Sequence, residues 1–281
     1  MRVHHLNCGS MRQIPPEQSD SELLVPARAV CHCLLIEAED GLVLVDTGFG
    51  ANDLRHPERA LGPDFLGRAE PLLDPGETAA QQIVRLGFDP RDVRDIVLTH
   101  LDLDHSGGVP DFPQARVHVH QAEVDAALTH HGQHPEDRIR YRAEHWNHGP
   151  QWVTYEKTGG EPWFGFDAVR ELKGLPPEIL LVPLAGHTAG HCGVAVQRDD
   201  GGWLLHAGDA YYYHGELDPV APRPHPMLDI LATATEVERP LRLGNLARLR
   251  ELARDHGDQV SIVSAHDPWE FARFDTAGGA A

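Results

Sequence analysis

Four side chains able to bind metal or move protons fall within six consecutive residues of the chain. They are His100, Asp102, Asp104 and His105, in the stretch IVLTHLDLDHSGG. Imidazoles and carboxylates are common protein ligands of transition metals and also act as general acids and bases. A solvated run of charges would not need the apolar run that precedes this cluster, or the two glycines that follow it. The pattern therefore favours a functional site, although His-x-Asp-x-Asp-His is not specific on its own.

Four further apolar runs of the chain also end in histidine or aspartate. The residues at these ends are Asp46, His187, His191, Asp209 and His266. Core packing does not explain them, because a buried polar group without a partner is costly. Ligand sites in open α/β folds lie beyond the carboxyl ends of the strands. We therefore expect these side chains to converge with the first cluster if their strands belong to facing sheets.

The elements that must position these residues follow from the hydrophobic pattern. Short apolar runs bounded by Gly, Pro or Asp, such as CHCLLIEA, GLVLVDTG and EILLVPLAG, predict strands. The helical spacing of Leu246, Leu249 and Leu252 predicts an amphipathic helix that ends near Gly257. This mixture indicates the α/β class, with sheets inside and helices outside. We take residues 1–281 as a single domain.

Two segments, residues 50–76 and 130–178, lack clear periodicity and are rich in proline, glycine and aromatic residues. Long irregular segments of compact domains are usually functional or disordered, and aromatic side chains argue against disorder. We expect these segments to be lids or pocket walls. At least two of four aromatic residues should line an apolar substrate pocket: Trp146, Trp152, Trp163 and Phe164.

Composition limits the possible partners. The formal net charge of −19 over 281 residues disfavours nucleic acids and anionic membrane surfaces. No apolar segment approaches the length of a membrane span, and the first residues do not resemble a signal peptide. No CxxC pair is present, and we expect four reduced thiols in a cytoplasmic protein: Cys8, Cys31, Cys33 and Cys192. The expected partner is a small molecule, and the sequence does not indicate an oligomeric state.

In their order along the chain, the motifs resemble those of the metallo-β-lactamase superfamily. They are Asp46-Thr47-Gly48, the loop from His100 to His105, the turn from Gly186 to His191, Gly208-Asp209 and His266. The resemblance covers most of the chain, and the set of motifs together is highly specific. It implies an αββα sandwich with a two-metal site in the cleft between the sheets.

The resemblance also implies a ligand set. The first metal would have His100, Asp102 and His187, the second would have Asp104, His105 and His266, and Asp209 would bridge them. Asp46 would orient a ligand imidazole, and His191 would be a structural hydrogen-bonding residue. The family has a histidine where this chain has Asp102. A carboxylate there makes the first site harder and more anionic, which widens the expected ions from zinc towards iron or manganese, or leaves that site weakly filled.

A two-metal site of this kind performs hydrolysis without a protein nucleophile, because two ions can share a hydroxide at neutral pH. The chain accordingly lacks a Gly-x-Ser-x-Gly elbow. Within the family it looks most similar to the lactonases, including the N-acyl-homoserine lactonases. Tyr212 has the offset from Asp209 at which those enzymes carry a tyrosine that assists the substrate. We take Asp104 and Tyr212 as the catalytic candidates. One residue of the run Tyr211 to Tyr213 should face the metals, unless the run is only an aromatic loop that packs on a lid.

Four functional hypotheses remain open at the level of the sequence. The first is a lactone or carboxylic-ester hydrolase that uses a metal-bridging hydroxide. The second is a hydrolase of another electrophile, such as a thioester, a β-lactam or a phosphotriester. The third is a redox enzyme with iron at the Asp102 site. The fourth is an inactive metal-binding scaffold, which the complete ligand set disfavours.

Overall fold

Short apolar runs form the strands of the protein, and they alternate with mostly short helices. The computed structural model describes residues 1–16, 25–129, 136–156, 160–168 and 172–274. The described strands are β1 (Arg2–Ile14), β2 (Ala27–Ala38), β3 (Gly41–Val45), β4 (Val93–Val97), β5 (Arg116–His120), β6 (Gln151–Tyr155), β7 (Glu161–Trp163), β8 (Phe166–Ala168), β9 (Ile179–Pro183), β10 (Cys192–Gln197), β11 (Trp203–His206) and β12 (Val260–Val263). The described α-helices are α1 (Ala51–Arg55), α2 (Pro57–Ala60), α3 (Pro63–Ala69), α4 (Ala79–Arg85), α5 (Leu103–Ser106), α6 (Gln121–Val124), α7 (Asp137–Arg140), α8 (Pro226–Thr235), α9 (Arg239–His256) and α10 (Pro268–Ala272).

The first sheet contains six strands in the order β1-β2-β3-β4-β5-β6. Its first three strands are antiparallel, and β3 to β6 are parallel. The side chains of β2 alternate between the two faces of the sheet, as the pleat requires. Leu34 and Ile36 point to one buried cluster, whereas Cys33 and Leu35 point to another. Both faces of this sheet are therefore covered.

A second sheet of four strands, in the order β12-β11-β10-β9, packs on the first. Leu34 and Val97 of the first sheet share a buried cluster with Leu181, Val194 and Val263 of the second sheet. This cluster is the central layer of the molecule. The two sheets meet at one edge of this layer. The Thr99 carbonyl, just after β4, accepts from the Cys192 amide at the start of β10, and the Ala265 carbonyl, just after β12, accepts from the His32 amide of β2.

Helices cover the outer faces of both sheets. Ile83 of α4 packs on the outer face of the first sheet. Leu246, Leu249 and Leu252 of α9 pack on the second sheet, which confirms the helix predicted from their spacing. The layers run helix, sheet, sheet, helix, and the expected αββα sandwich is confirmed. No helix in the described part of the chain combines the length and the apolar character that a membrane span requires.

The two aperiodic segments contain more regular structure than their composition predicts. Residues 50–76 contain helices α1, α2 and α3. The described part of residues 130–178 contains helix α7, strand β6 of the first sheet and the hairpin β7–β8. Residues 130–135, 157–159 and 169–171 of the second segment lie outside the described residues. Short runs of four or five residues show too few periods for their pattern to be read from a sequence.

Candidate metal centre

The first group of candidate ligands lies where the ends of both sheets meet. The Asp102 Oδ2 atom is 3.1 Å from His187 Nε2 and 3.6 Å from His100 Nε2. The Asp209 Oδ2 atom is 3.5 Å from His187 Nε2 and 3.9 Å from His100 Nε2. Two ligands of a tetrahedral ion with bonds of about 2.0–2.1 Å lie about 3.3 Å apart. These four side chains are therefore spaced as the ligands of one ion would be.

The second group shares Asp209 with the first. The Asp209 Oδ1 atom is 3.3 Å from His105 Nε2 and 3.1 Å from His266 Nε2. Asp104 approaches the same two imidazoles, with its Oδ1 atom 3.9 Å from His105 Nε2 and its Oδ2 atom 3.6 Å from His266 Nε2. One carboxylate thus contacts both groups, and the structure brings together all seven residues that the sequence indicated.

Hydrogen bonds behind the first loop fix the orientation of two imidazoles. The Asp46 carboxylate accepts from the His105 Nδ1–H group at 2.8 Å and from the Thr99 hydroxyl at 2.7 Å. Because the Thr99 hydroxyl donates its one hydrogen to Asp46, its oxygen accepts from the His100 Nδ1–H group at 2.9 Å. Asp46 has a φ of 53°, uncommon for a residue with a side chain, and the Thr99 amide also donates to its carboxylate. Both imidazoles therefore present an Nε2 lone pair to the site, which is the orienting role expected of Asp46.

The other two imidazoles are held in the same tautomer. The His266 Nδ1–H group donates to the Val30 carbonyl at 2.8 Å. The Tyr212 hydroxyl donates to Asp209 Oδ2 at 2.9 Å, so that its oxygen can accept from the His187 Nδ1–H group at 3.4 Å. The four Nε2 atoms thus face the carboxylates of Asp102, Asp104 and Asp209, an arrangement that suits divalent ions.

Several buried polar atoms of the site lack a hydrogen bond. Among the described residues, His100 Nε2, Asp102 Oδ1 and Asp209 Oδ1 are buried without a hydrogen bond. Burial favours the protonated form of Asp209, but His266 and His105 outweigh it and hold the pKa of that carboxyl well below its usual range. Buried polar atoms normally find a partner, and a metal ion would supply one. The residues present therefore fit divalent metal ions.

Arg140 of α7 approaches the first group from the side of the cavity. Its Nη1 atom is 3.4 Å from Asp102 Oδ1 and 3.4 Å from the His187 carbonyl, and its Nη2 atom donates to the Thr235 carbonyl. Burial would raise the pKa of Asp102, but Arg140, followed by His100, holds it well below its usual range. This contact could not be predicted from the sequence, because no local pattern links residue 140 to residue 102.

Tyr212 is the tyrosine of its run that faces the site. Its ring stacks on the His266 imidazole with the centroids 5.5 Å apart. Burial, together with Asp209, raises its pKa well above the usual value, so its hydroxyl is a neutral donor. Tyr211 donates instead to Glu270, and Tyr213 packs edge-on against Trp269.

His191 is a structural residue, as the sequence predicted. Its Nδ1–H group donates to the Leu184 carbonyl at 3.0 Å, and its Nε2 atom accepts from the Asp209 amide at 2.9 Å. Both ring nitrogens are used, so His191 has no lone pair left for a metal ion. It holds the backbone of the candidate bridging residue in place.

Glu123 is a buried residue that sequence analysis missed. One carboxylate oxygen accepts from the Leu101 amide at 3.2 Å, and the other accepts from the Thr188 hydroxyl at 2.8 Å and the Gly190 amide at 2.9 Å. It therefore joins the loop that carries His100 to the turn that carries His187. A single glutamate in the stretch QAEVDAAL resembles an ordinary exposed helix residue, so no signal in the sequence could have found it.

A cavity of about 360 Å³ opens onto the ligand groups. Asp102, Asp104, His187, Asp209, Tyr212 and His266 line its floor. Its walls are mostly apolar and come from β1, α3, α7 and α8: Met11, Ile14, Phe65, Ala69, Ile139, Met227, Leu228, Ile230, Leu231 and Ala234. Charged side chains, Arg12, Arg68 and Glu136, also border it.

The prediction that at least two of Trp146, Trp152, Trp163 and Phe164 line this cavity is wrong, although Phe65 of the first irregular segment does border it. None of the four belongs to the described residues that border it. Trp146 and Trp152 pack against the outer core of the first sheet, and Trp163 and Phe164 pack against that of the second sheet. These aromatic side chains are packed in the hydrophobic cores. Helix α8, which was not predicted from the sequence, supplies much of the cavity wall.

The chain is similar to known metalloenzymes over nearly its whole length. The family model of the metallo-β-lactamase superfamily matches residues 27–244. A probable metallo-hydrolase of Mycobacterium tuberculosis is 43% identical over 285 residues, covering 99% of this chain and 84% of that protein. An N-acyl homoserine lactonase of Bacillus thuringiensis is 25% identical over 235 residues, covering 84% of this chain and 80% of that protein. The solved structure of an N-acyl homoserine lactone hydrolase, with the product N-hexanoyl-L-homoserine at its catalytic metal centre, has a TM-score of 0.69 at 22% identity and covers 96% of this chain and 95% of that one.

The match to the family model and the similarity to the mycobacterial protein agree with the fold and with the two ligand groups. The chain belongs to the metallo-β-lactamase superfamily and is a metal-dependent hydrolase of that superfamily.

Proposed function

We propose that the protein hydrolyses a lactone or carboxylic ester with an apolar acyl group, using two divalent metal ions. The observation that carries this proposal is the apolar cavity that opens directly onto both ligand groups and Tyr212. An apolar wall beside a polar, reactive floor suits a substrate with one hydrophobic part and one electrophilic carbonyl. The lactonase names of the Bacillus thuringiensis relative and of the solved structure support the same substrate class.

The two ions would be held as the sequence indicated. His100, Asp102, His187 and Asp209 would hold the first, and Asp104, His105, His266 and Asp209 the second. Zinc is the expected ion, because imidazole and carboxylate ligands at these spacings suit it. When bound, the ions activate water at neutral pH and polarise the substrate carbonyl.

The side chains of this protein add positioning and proton transfer. Tyr212 is a neutral phenol that lines the cavity, and its single hydrogen goes to Asp209 in this structure. With a substrate bound, that hydrogen can turn to the carbonyl or leaving oxygen of the substrate. Asp104 also lines the cavity, where its carboxylate can accept a proton from water and return it to the leaving oxygen. The apolar walls would hold the acyl chain and exclude water from it.

A reducing location is part of the proposal. The four cysteines are buried free thiols. That state supports a cytoplasmic protein, in which thiols stay reduced. The acidic overall charge supports a small-molecule substrate over nucleic acid.

A substrate panel tests the proposal. Metal-reconstituted protein is assayed with lactones and esters of several acyl lengths, a thioester, a β-lactam and a phosphotriester. We expect kcat/KM to be highest for a lactone or an ester, and Tyr212→Phe to lower kcat by about tenfold or more without loss of metal. Turnover of the phosphotriester or β-lactam alone would move the protein to the second hypothesis. Ultraviolet-visible spectra of freshly purified protein would reveal iron and favour the redox hypothesis.

A further inference from the structure

Asp102 carries a negative charge that the histidine of the family motif would not. The two oxygens of its carboxylate face different neighbours. The Oδ2 atom faces His187 and His100, at 3.1 Å and 3.6 Å from their Nε2 atoms. The Oδ1 atom faces Arg140, and no described hydrogen-bond donor satisfies it.

Arg140 is the cation on the far side of that carboxylate. The side chain of Arg140 is only 4% exposed, so its charge is almost entirely removed from water. Its Nη1 atom is the nearest cationic group to Asp102 Oδ1, at 3.4 Å. A buried charge is costly unless it is paired, and Asp102 is the carboxylate with which Arg140 forms an ion pair among the described residues.

We propose that Arg140 is a positioning residue that balances the charge of Asp102, so that the pair replaces one neutral imidazole in the first metal site. This inference rests on the proposed two-metal hydrolase. Asp102 adds one negative charge to the ligand group, and Arg140 returns the group to the formal charge it would have with histidine. Arg140 faces one carboxylate oxygen as its ion-pair partner, and the other oxygen is the one that would face the metal.

The pairing changes what the sequence implies about the metal. A lone carboxylate would make the first site more anionic and favour hard ions over zinc. With its charge balanced by Arg140, Asp102 is an oxygen ligand in a site of ordinary net charge. The first site should therefore remain a zinc site, and the preference for iron or manganese should emerge only when Arg140 is removed.

A cycle of substitutions in the full-length protein tests the pairing by metal binding alone. Arg140→Met leaves Asp102 unbalanced, so the weaker of the two sites should bind Mn²⁺ about tenfold more tightly relative to zinc, whereas Arg140→Lys should remain near the wild type. Asp102→His leaves a buried cation beside the ion, and zinc affinity at that site should fall by about 10- to 100-fold. The double variant Asp102→His/Arg140→Met should recover most of that loss. Asp102→Asn, which is nearly isosteric, serves if the histidine does not fit.

Arg142→Met is the matched control, because Arg142 donates to the Leu61 carbonyl and does not contact the ligands. The readouts are metal content by emission spectrometry and stepwise dissociation constants by competition with a chromogenic chelator. The charge-balance proposal is overturned if Arg140→Met and Asp102→His both weaken zinc binding and the double variant is no better than Asp102→His. Since no turnover is measured, such a result would leave the proposed hydrolase intact. If the wild type is inactive on every substrate but the double variant recovers zinc affinity, only the proposed hydrolase function is overturned.

Discussion

At the scale of single residues, Asp209 has the most demanding position. Its two carboxylate oxygens lie within 3.9 Å of an Nε2 atom from each of four histidines, which belong to both ligand groups. Each histidine, in contrast, belongs to one group. A bridging carboxylate would also screen the repulsion between two neighbouring cations.

We therefore expect Asp209→Ala to lose both metal ions, whereas a single substitution such as His100→Ala loses about one. Emission spectrometry on purified variants measures the metal content. Asp95→Ala removes another buried carboxylate, one that pairs with Arg116 and His118 outside the site, and should keep full occupancy. Two ions per chain in the Asp209 variant would end the assignment of Asp209 as the bridge.

Substitution of Glu123 should lower the stability of the protein as well as its activity. Its fully buried carboxylate accepts hydrogen bonds from two loops, and the NH2 group of a glutamine would turn a donor towards either the Leu101 or the Gly190 amide. Because the glutamine NH2 can face only one side, one of these two amides loses its acceptor, and Glu123→Gln should lower the free energy of unfolding by about 2 kcal/mol. Chemical denaturation measures this, with the exposed Glu251→Gln on α9 as the control. A change within error would mean that water or a shifted loop satisfies these amides.

Sequence analysis could indicate candidate ligands, which the structure brings together, only where the signal is local. A histidine or aspartate after an apolar run marks a strand end, and the seven candidate ligands all have such a context. Glu123 and Arg140 have no local context, because their roles depend on loops that lie far away in the chain. The contact of Asp102 with Arg140 likewise has no local signal in the sequence.

At the scale of elements, helix α8 illustrates why loop composition is a poor guide to a cavity. Trp146 and Trp163 were expected at the pocket, yet large aromatic side chains gain more free energy when they pack into a core. The cavity wall comes instead from aliphatic residues of α8 such as Leu228 and Leu231. Their helical spacing is unremarkable in the sequence, and only the tertiary position of α8 relates them to the metal site.

Substitutions in the cavity wall should change the preference of the protein for the acyl-chain length of its substrate. Leu231→Ala removes apolar surface from the cavity, so KM should rise about threefold to tenfold for long-chain lactones and little for short ones. Metal content should not change. Leu243→Ala on α9 is a matched control, because it is 41% exposed against 37% for Leu231 but does not line the cavity. Equal effects of the two substitutions on every substrate would mean that the acyl chain binds elsewhere.

At the scale of the whole molecule, the candidate ligands connect the two halves of the sandwich. His100 and His105 follow a strand of the first sheet, whereas His187, Asp209 and His266 follow strands of the second. The fold itself was predictable because ordered motifs covered most of the chain. The pairing of the sheets was not, since the register of distant strands depends on contacts that no local pattern encodes.

Because the candidate ligands come from both sheets, we expect bound metal ions to stabilise the folded protein in addition to their role in catalysis. An ion that binds only the folded chain adds about 2.7 kcal/mol at a free concentration 100 times its Kd. Removal of the metal with a chelator should therefore lower Tm, and added zinc should restore it. Hydrogen exchange should speed up in both sheets at once, at the ends of β4, β11 and β12, because each ion has ligands from both halves. Emission spectrometry verifies that the metal has been removed. If Tm is then unchanged, or if exchange is faster in only one sheet, the two sheets hold together without the ions. The ligand groups would then act in catalysis alone.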